Sequence, residues 1–238
     1  MKFTTKLIIW IILISNFQNL YSQGAISRIN NIEIGDFYYS DGTTSHVRNR
    51  NKECVGIVFS LETSAEEKKH GFLRGYIVAL KDCLDGGKVN WGKNIDLPSP
   101  HTNIDYVPEF IRDKNGYIYN FMGKFNSSNQ AYVCAKNYSA PLPPNKTTGW
   151  YLPSVGQWYE MLSNLGRLQL KGHFYFNGAK VKQQLRNKGL IVSGTYLTST
   201  ERDQTMTWIV DFDSEQAGFY SPWNSKHTKH KVLAVAAF

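Results

Sequence analysis

Several groups of side chains in this sequence are of types that carry chemistry. Three are cysteines: Cys54, Cys83 and Cys134. None lies in a C-x-x-C spacing, so neither a zinc knuckle nor a dithiol redox motif is written into the chain. In an oxidising compartment two of the three can pair and leave one over, and spacing alone does not choose the pair. Asp203, Asp211, Asp213 and Glu215 could offer oxygen ligands to a hard cation, but their spacing matches no calcium loop. His227 and His230 form an H-x-x-H without a third ligand or a neighbouring Glu, which falls short of a zinc site. Ser, His and Asp are all present without a G-x-S-x-G elbow, and no carboxylate pair stands out for glycoside hydrolysis. The expectation is therefore no catalytic residue, no metal and no cofactor.

A different group points to binding. Tyr220, Trp223 and Asn224, with Ser221 and Pro222 between them, lie in the connection before the last apolar run. Aromatic faces beside an amide suit a sugar, a peptide or a protein surface, and long connections on a rigid scaffold are where such contacts sit. The competing expectation is that Trp223 folds back onto the core, since Trp is highly buried on average. Trp150, Trp158 and Trp208 fall in predicted regular elements and are expected in the core.

The elements that must position these residues divide into a strand-rich part, 32–125, and a second part, 126–238, expected to pack as one unit. In the first, Asp36–Ser40 ends in Asp41-Gly42, a dipeptide suited to a tight turn. Val55–Leu61 and Tyr76–Leu80 are short apolar runs rich in strand formers. Between them 64–69 is polar and reads as a loop. In the second part, Ala131, Cys134, Ala135 and Tyr138 share one helical face, with Ser127 or Ser128 as cap. Trp158, Met161, Leu162 and Leu165 repeat that spacing. Ser154 and Gln157 ahead of them fit a capping box, and Gly166 is the expected stop. Ala179–Asn187 suggests a third helix. Beyond it the period changes to two: 196–200, 205–212, 218–220 and 232–238 read as strands of a β-meander. The fold class is α+β, with helices segregated from an antiparallel sheet.

The amino terminus reads as a secretory signal. Lys2 and Lys6 precede an apolar run, Leu7–Ile14, and Ser22 suits a cleavage site, so residues 1–22 are assigned as signal peptide and 23–238 as mature protein. The apolar run is much shorter than the ~20 residues needed to span a bilayer, and no later segment is apolar enough. No membrane span is expected in the mature chain, and its place is outside the cytoplasm: secreted, at the cell surface or in the periplasm. The formal charge of +8 is spread out except at Lys226–Lys231, read as a solvated turn. Export and the lack of a nucleic-acid motif argue against nucleic acid as partner.

The second part also resembles a known pattern. Ala131-Tyr132-Val133-Cys134, Trp150-Tyr151-Leu152-Pro153-Ser154, Tyr196–Glu201 (YLTSTE) and Val232–Phe238 (VLAVAAF) are similar to the Lcl C-terminal-type domain of bacterial exported proteins, within the wider C-type lectin-like fold. Upstream, GDFYYSDG and CVGIVF resemble segments that accompany it. The resemblance extends to formylglycine-generating enzymes, but it would then imply a copper-binding cysteine pair near the carboxyl terminus, and no cysteine follows Cys134. Cys54 and Cys134 both lie in matching stretches, so the resemblance implies them as the disulfide. The alternative is three unpaired thiols.

Three functions follow as expectations. The first is a non-enzymatic exported binding module for a glycan, peptide or protein, with Tyr220, Trp223 and Asn224 as contacts. The second is a structural or assembly subunit of an extracellular appendage. The third is an enzyme without a recognisable motif.

Overall fold

A computed structural model of the chain describes residues 31–93, 111–121, 128–172, 174–223 and 225–238. The expected signal peptide lies outside them, and so does Asn224. Ile34–Phe238 forms one folded unit.

The short run FYY makes strand β1, Phe37–Tyr39, which turns through Asp41-Gly42 into β2, Thr44–Ser45. Gly42 takes the left-handed φ of 83° that the turn requires, and the Asp41 carboxylate accepts from the Thr43 amide at 2.9 Å. Next come β3 (Cys54–Ser60), helix α1 (Ala65–Lys69) and β4 (Tyr76–Asp82). The polar stretch 64–69, expected as a loop, is thus a short helix. The overlooked signal is Ser64-x-x-Glu67, a capping box closed by both reciprocal bonds. Helices α2 (Gly116–Phe121), α3 (Gln130–Lys136), α4 (Val155–Gly166) and α5 (Gly178–Asn187) follow. Strands β5 (Thr195–Glu201), β6 (Thr207–Asp211), β7 (Gly218–Tyr220) and β8 (Leu233–Ala237) complete the order.

Two antiparallel sheets result. One is ordered β2-β1-β3-β4-β8 and the other β5-β6-β7. The expected meander is real over β5–β7, but the last strand leaves it and pairs with β4, Val78 against Val235. Its composition suits that covered position. LAVAA is buried at every position, as a strand covered on both faces must be. Gly75 lets the chain pass close to β3, since a Cβ there would stand 2.0 Å from the Ser60 carbonyl oxygen. Its carbonyl accepts from the Phe238 amide at 3.0 Å.

Helix α4 lies between the sheets, touching β3 on one side and β5 and β6 on the other. Its apolar stripe of Trp158, Met161, Leu162 and Leu165 is buried, at about 1.5–3 kcal/mol per large side chain. Ser154 and Gln157 close the expected capping box. The stop differs by one residue. Arg167 takes the left-handed conformation with φ 52° and Gly166 stays helical, its missing side chain leaving room for Val181, whose Cγ1 would stand 3.0 Å from a Cβ there. Helix α3 begins at Asn129 without a side-chain cap, in place of the expected serine cap. No helix among the described residues is long and apolar enough to cross a membrane.

The basic run 226–231 is not a solvated turn throughout. Lys226 is fully buried against the equally buried Glu201, donates to the Gln204 carbonyl at 2.9 Å and lies 4.7 Å from the Trp91 ring centroid. Trp91 in turn donates through its indole to the Thr198 carbonyl at 3.0 Å. Sequence patterning treats Lys as a surface residue, and partners remote in the chain, Glu201, the Gln204 carbonyl and Trp91 among them, make its burial tolerable. Lys226→Ala strands Glu201 in the interior and should cost about 3–5 kcal/mol in urea unfolding, whereas Lys226→Met with Glu201→Leu should recover most of that loss.

Candidate functional site

The site is built on the outer edge of β7. Residues 174–176 run beside that strand: Phe219 donates its amide to the Phe174 carbonyl at 3.0 Å and Phe176 donates to the Ala217 carbonyl at 2.8 Å, while on the other side Lys171 donates to the Tyr175 carbonyl at 2.7 Å. Gly218 permits the approach, since a Cβ would meet the Phe174 carbonyl oxygen at 2.7 Å. Phe176 anchors the segment in the core, its ring 5.8 Å from Phe212 and 5.9 Å from Phe219. With Phe176 turned inward, its neighbour Tyr175 is carried to the surface, as strand alternation requires.

There Tyr175 meets Tyr220, with ring centroids 5.8 Å apart and planes inclined by 56°. The Tyr220 hydroxyl donates to the Gln216 carbonyl, which fixes the ring, and partial burial raises the phenol above its usual pKa. Three residues further on, Trp223 is 74% exposed. It does not fold back onto the core. Trp150, Trp158 and Trp208 are all buried, as expected. Of the three residues expected to bind ligand, Tyr220 ends β7 half-buried and Trp223 stands exposed in the connection that follows. Tyr175 is the member that sequence reading missed: it stands far away in the chain, and only the pairing of 174–176 with β7 brings it there.

A cleft of about 570 Å³ opens beside Tyr175, lined among others by Lys171, Asn177, Lys182, Asp213 and Gln216. Its polar groups are partly spoken for. Asp213 accepts from Lys182 at 2.6 Å and from the Gly194 amide at 2.7 Å, and the Lys182 bond leads in holding its carboxyl below the usual range. Asp211 accepts from the amides of Asp213 and Ser214, and Asp203 from those of Thr205 and Met206. Three of the four acidic residues weighed as cation ligands, Asp203, Asp211 and Asp213, are thus engaged within the protein. Among the described residues no group of three His, Cys, Asp or Glu side chains is placed to hold a metal ion. The buried carboxylates Glu67, Asp113 and Glu201 line neither this cleft nor a second one of about 450 Å³ beside Tyr196 and Lys231.

The two histidines of H-x-x-H part company. His227 is exposed, while His230 is buried with Nδ1 at 2.5 Å from the Thr195 hydroxyl. The cysteines are all thiols. Cys134 is hydrogen-bonded to Cys83, whereas Cys54 donates to the Gly56 carbonyl at 3.6 Å. The Cys54–Cys134 pairing implied by resemblance is not the juxtaposition found.

No family model matches the chain, and no curated protein does. Among solved structures, the crystal structure of a fimbrial protein from Bacteroides ovatus superposes with a TM-score of 0.57 at 18% identity, over 87% of this chain. The chain shares its fold with a fimbrial protein. It spans about half of that structure's length, 49%.

Burial, and then the charge of Lys88, push the His230 imidazole down from 6.5 to about 4. Between those values the unfolded chain binds a proton that the folded chain refuses. Stability present above pH 6.5 is therefore lost as the pH falls toward 4. The urea midpoint should decline across that window, and His230→Gln should flatten the decline.

Proposed function

We propose that this chain is an exported subunit of an extracellular appendage, built on an Lcl-type, C-type lectin-like module. The observation that carries this reading is the fold likeness to a fimbrial protein over 87% of the chain. The amino-terminal export signal and the fragments similar to Lcl domains agree with it. The outer edge of β8 is covered, which argues against strand addition there. Tyr151 exchanges backbone bonds with Val235 at 2.9 and 3.0 Å, and the Thr148 amide donates to the Ala237 carbonyl at 3.0 Å while its hydroxyl accepts from the Ala237 amide at 3.0 Å. Joining to other subunits then falls to side-chain surfaces, or to the short edge at β2.

A second reading is favoured by one specific observation, the surface ledge of Tyr175 and Tyr220 beside a polar cleft, with the exposed Trp223 three residues beyond Tyr220. Such a ledge suits the apolar face of a sugar ring, with amides and carboxylates for its hydroxyls. The two readings are compatible in an appendage subunit that presents a binding face.

Shearing the surface of cells that make the protein tests the first. The chain should sediment with filamentous material and label along it, and recovery solely as a free monomer would contradict assembly. A glycan array on the purified chain tests the second. Trp223→Ala should weaken any binding roughly ten-fold or more while leaving the melting temperature unchanged. Undiminished binding would remove the ledge from the account.

A further inference from the structure

Cys83 follows directly on β4, where its amide donates to the Val232 carbonyl at 2.8 Å. Cys134 sits in α3, which packs on β8, the neighbour of β4 in the sheet. Two residues beyond the helix, the Tyr138 hydroxyl is hydrogen-bonded to the backbone of Lys81 near the end of β4. Between these fixed points the two thiols face each other within hydrogen-bonding reach. Both residues are half-buried, so a reagent can reach the pair from solvent. Cys54 lies elsewhere in the sheet, opposite Tyr39 of β1, with its thiol turned to its own strand's Gly56 carbonyl.

We propose that Cys83 and Cys134 form a disulfide on exposure to a disulfide oxidant, fastening α3 to the end of β4, and that Cys54 stays a thiol. The roles within the pair are unequal. The hydrogen bond from Cys83 lowers the Cys134 thiol below its ordinary value, and the same contact, with burial, raises Cys83. Cys134 is therefore the attacking thiolate. Its sulfur attacks one sulfur of the donor disulfide, forms a mixed disulfide and expels the first donor thiolate. Cys83 then loses its proton and attacks the Cys134 sulfur, closing the internal S–S bond and expelling the second donor thiolate. The two protons given up by the cysteines finish on the two donor thiols. The pair is oxidised by two electrons and the donor disulfide is reduced by two.

The bond joins segments far apart in the chain, so it restrains the unfolded ensemble more than the folded one, in which the sulfurs already meet. Neither the binding ledge nor appendage assembly is needed for this inference.

The experiment treats the purified, reduced full chain with oxidised glutathione and maps its peptides without reduction. The expected product links the Cys83 and Cys134 peptides and leaves Cys54 open to maleimide. The oxidised protein should melt at a higher temperature than the reduced one, and that difference should vanish in Cys83→Ser and in Cys134→Ser. Cys54→Ser should keep it. A link from Cys54 to either other cysteine would overturn the proposal, as would three maleimide-reactive thiols after oxidation.

Discussion

A continuous line of buried polar contacts ties one sheet to the other. Glu67 in α1 accepts from the Ser64 amide at 2.9 Å, from the Tyr76 hydroxyl of β4, and from the Tyr151 hydroxyl at 2.7 Å. The Tyr151 oxygen accepts from the Gln157 amide at 2.8 Å, and the Gln157 carbonyl accepts from the Ser154 backbone at 3.0 Å. The Ser154 hydroxyl donates to the backbone carbonyl of Asp113, whose carboxylate takes the Thr200 hydroxyl of β5. Thr200 also accepts from the Val155 amide at 2.8 Å. Every junction serves twice: the α4 cap is also the bridge, and the acid that caps α1 is also the acceptor for two tyrosines. Burial beside the Glu67 carboxylate drives the Tyr76 and Tyr151 phenols well above their ordinary values, so both remain donors. A satisfied network of this kind specifies one arrangement, because removing any member leaves another polar group buried without its partner.

The local parts of this arrangement were legible in the sequence. Ser154 and Gln157 carried the capping box, Trp158 to Leu165 carried the buried stripe, and VGIVFSL and YIVAL carried their strands. What was not legible depends on partners remote in the chain. Lys226 looks like surface until Glu201 and Trp91 are set against it. VLAVAAF reads equally well as a fourth meander strand or as a partner for β4, since pairing is decided by which sheet offers a covered edge. Tyr175 has no local mark of a surface role. It acquires one from Phe176, which must point inward, and from Gly218, which lets the two segments close up.

The same closure shapes the functional reading. Thr148 and Tyr151 cover β8, residues 174–176 cover β7, and Lys231 lies along β5. Sheet edges that elsewhere invite another chain are largely occupied here. On the binding reading proposed above, recognition falls to side chains such as Tyr175, Tyr220 and Trp223. Phe176 packing against Phe212 and Phe219 holds the Tyr175 segment in place.

If the buried polar line makes both sheets one cooperative unit, they must open together. Native-state amide exchange across increasing denaturant measures this directly, residue by residue. The amides of Val155, Gly156 and Ser199, together with those of β4 and β6, should converge on a single opening free energy equal to that of global unfolding. Exchange of β5–β7 at a distinctly lower free energy, with β3, β4 and β8 still protected, would contradict the account.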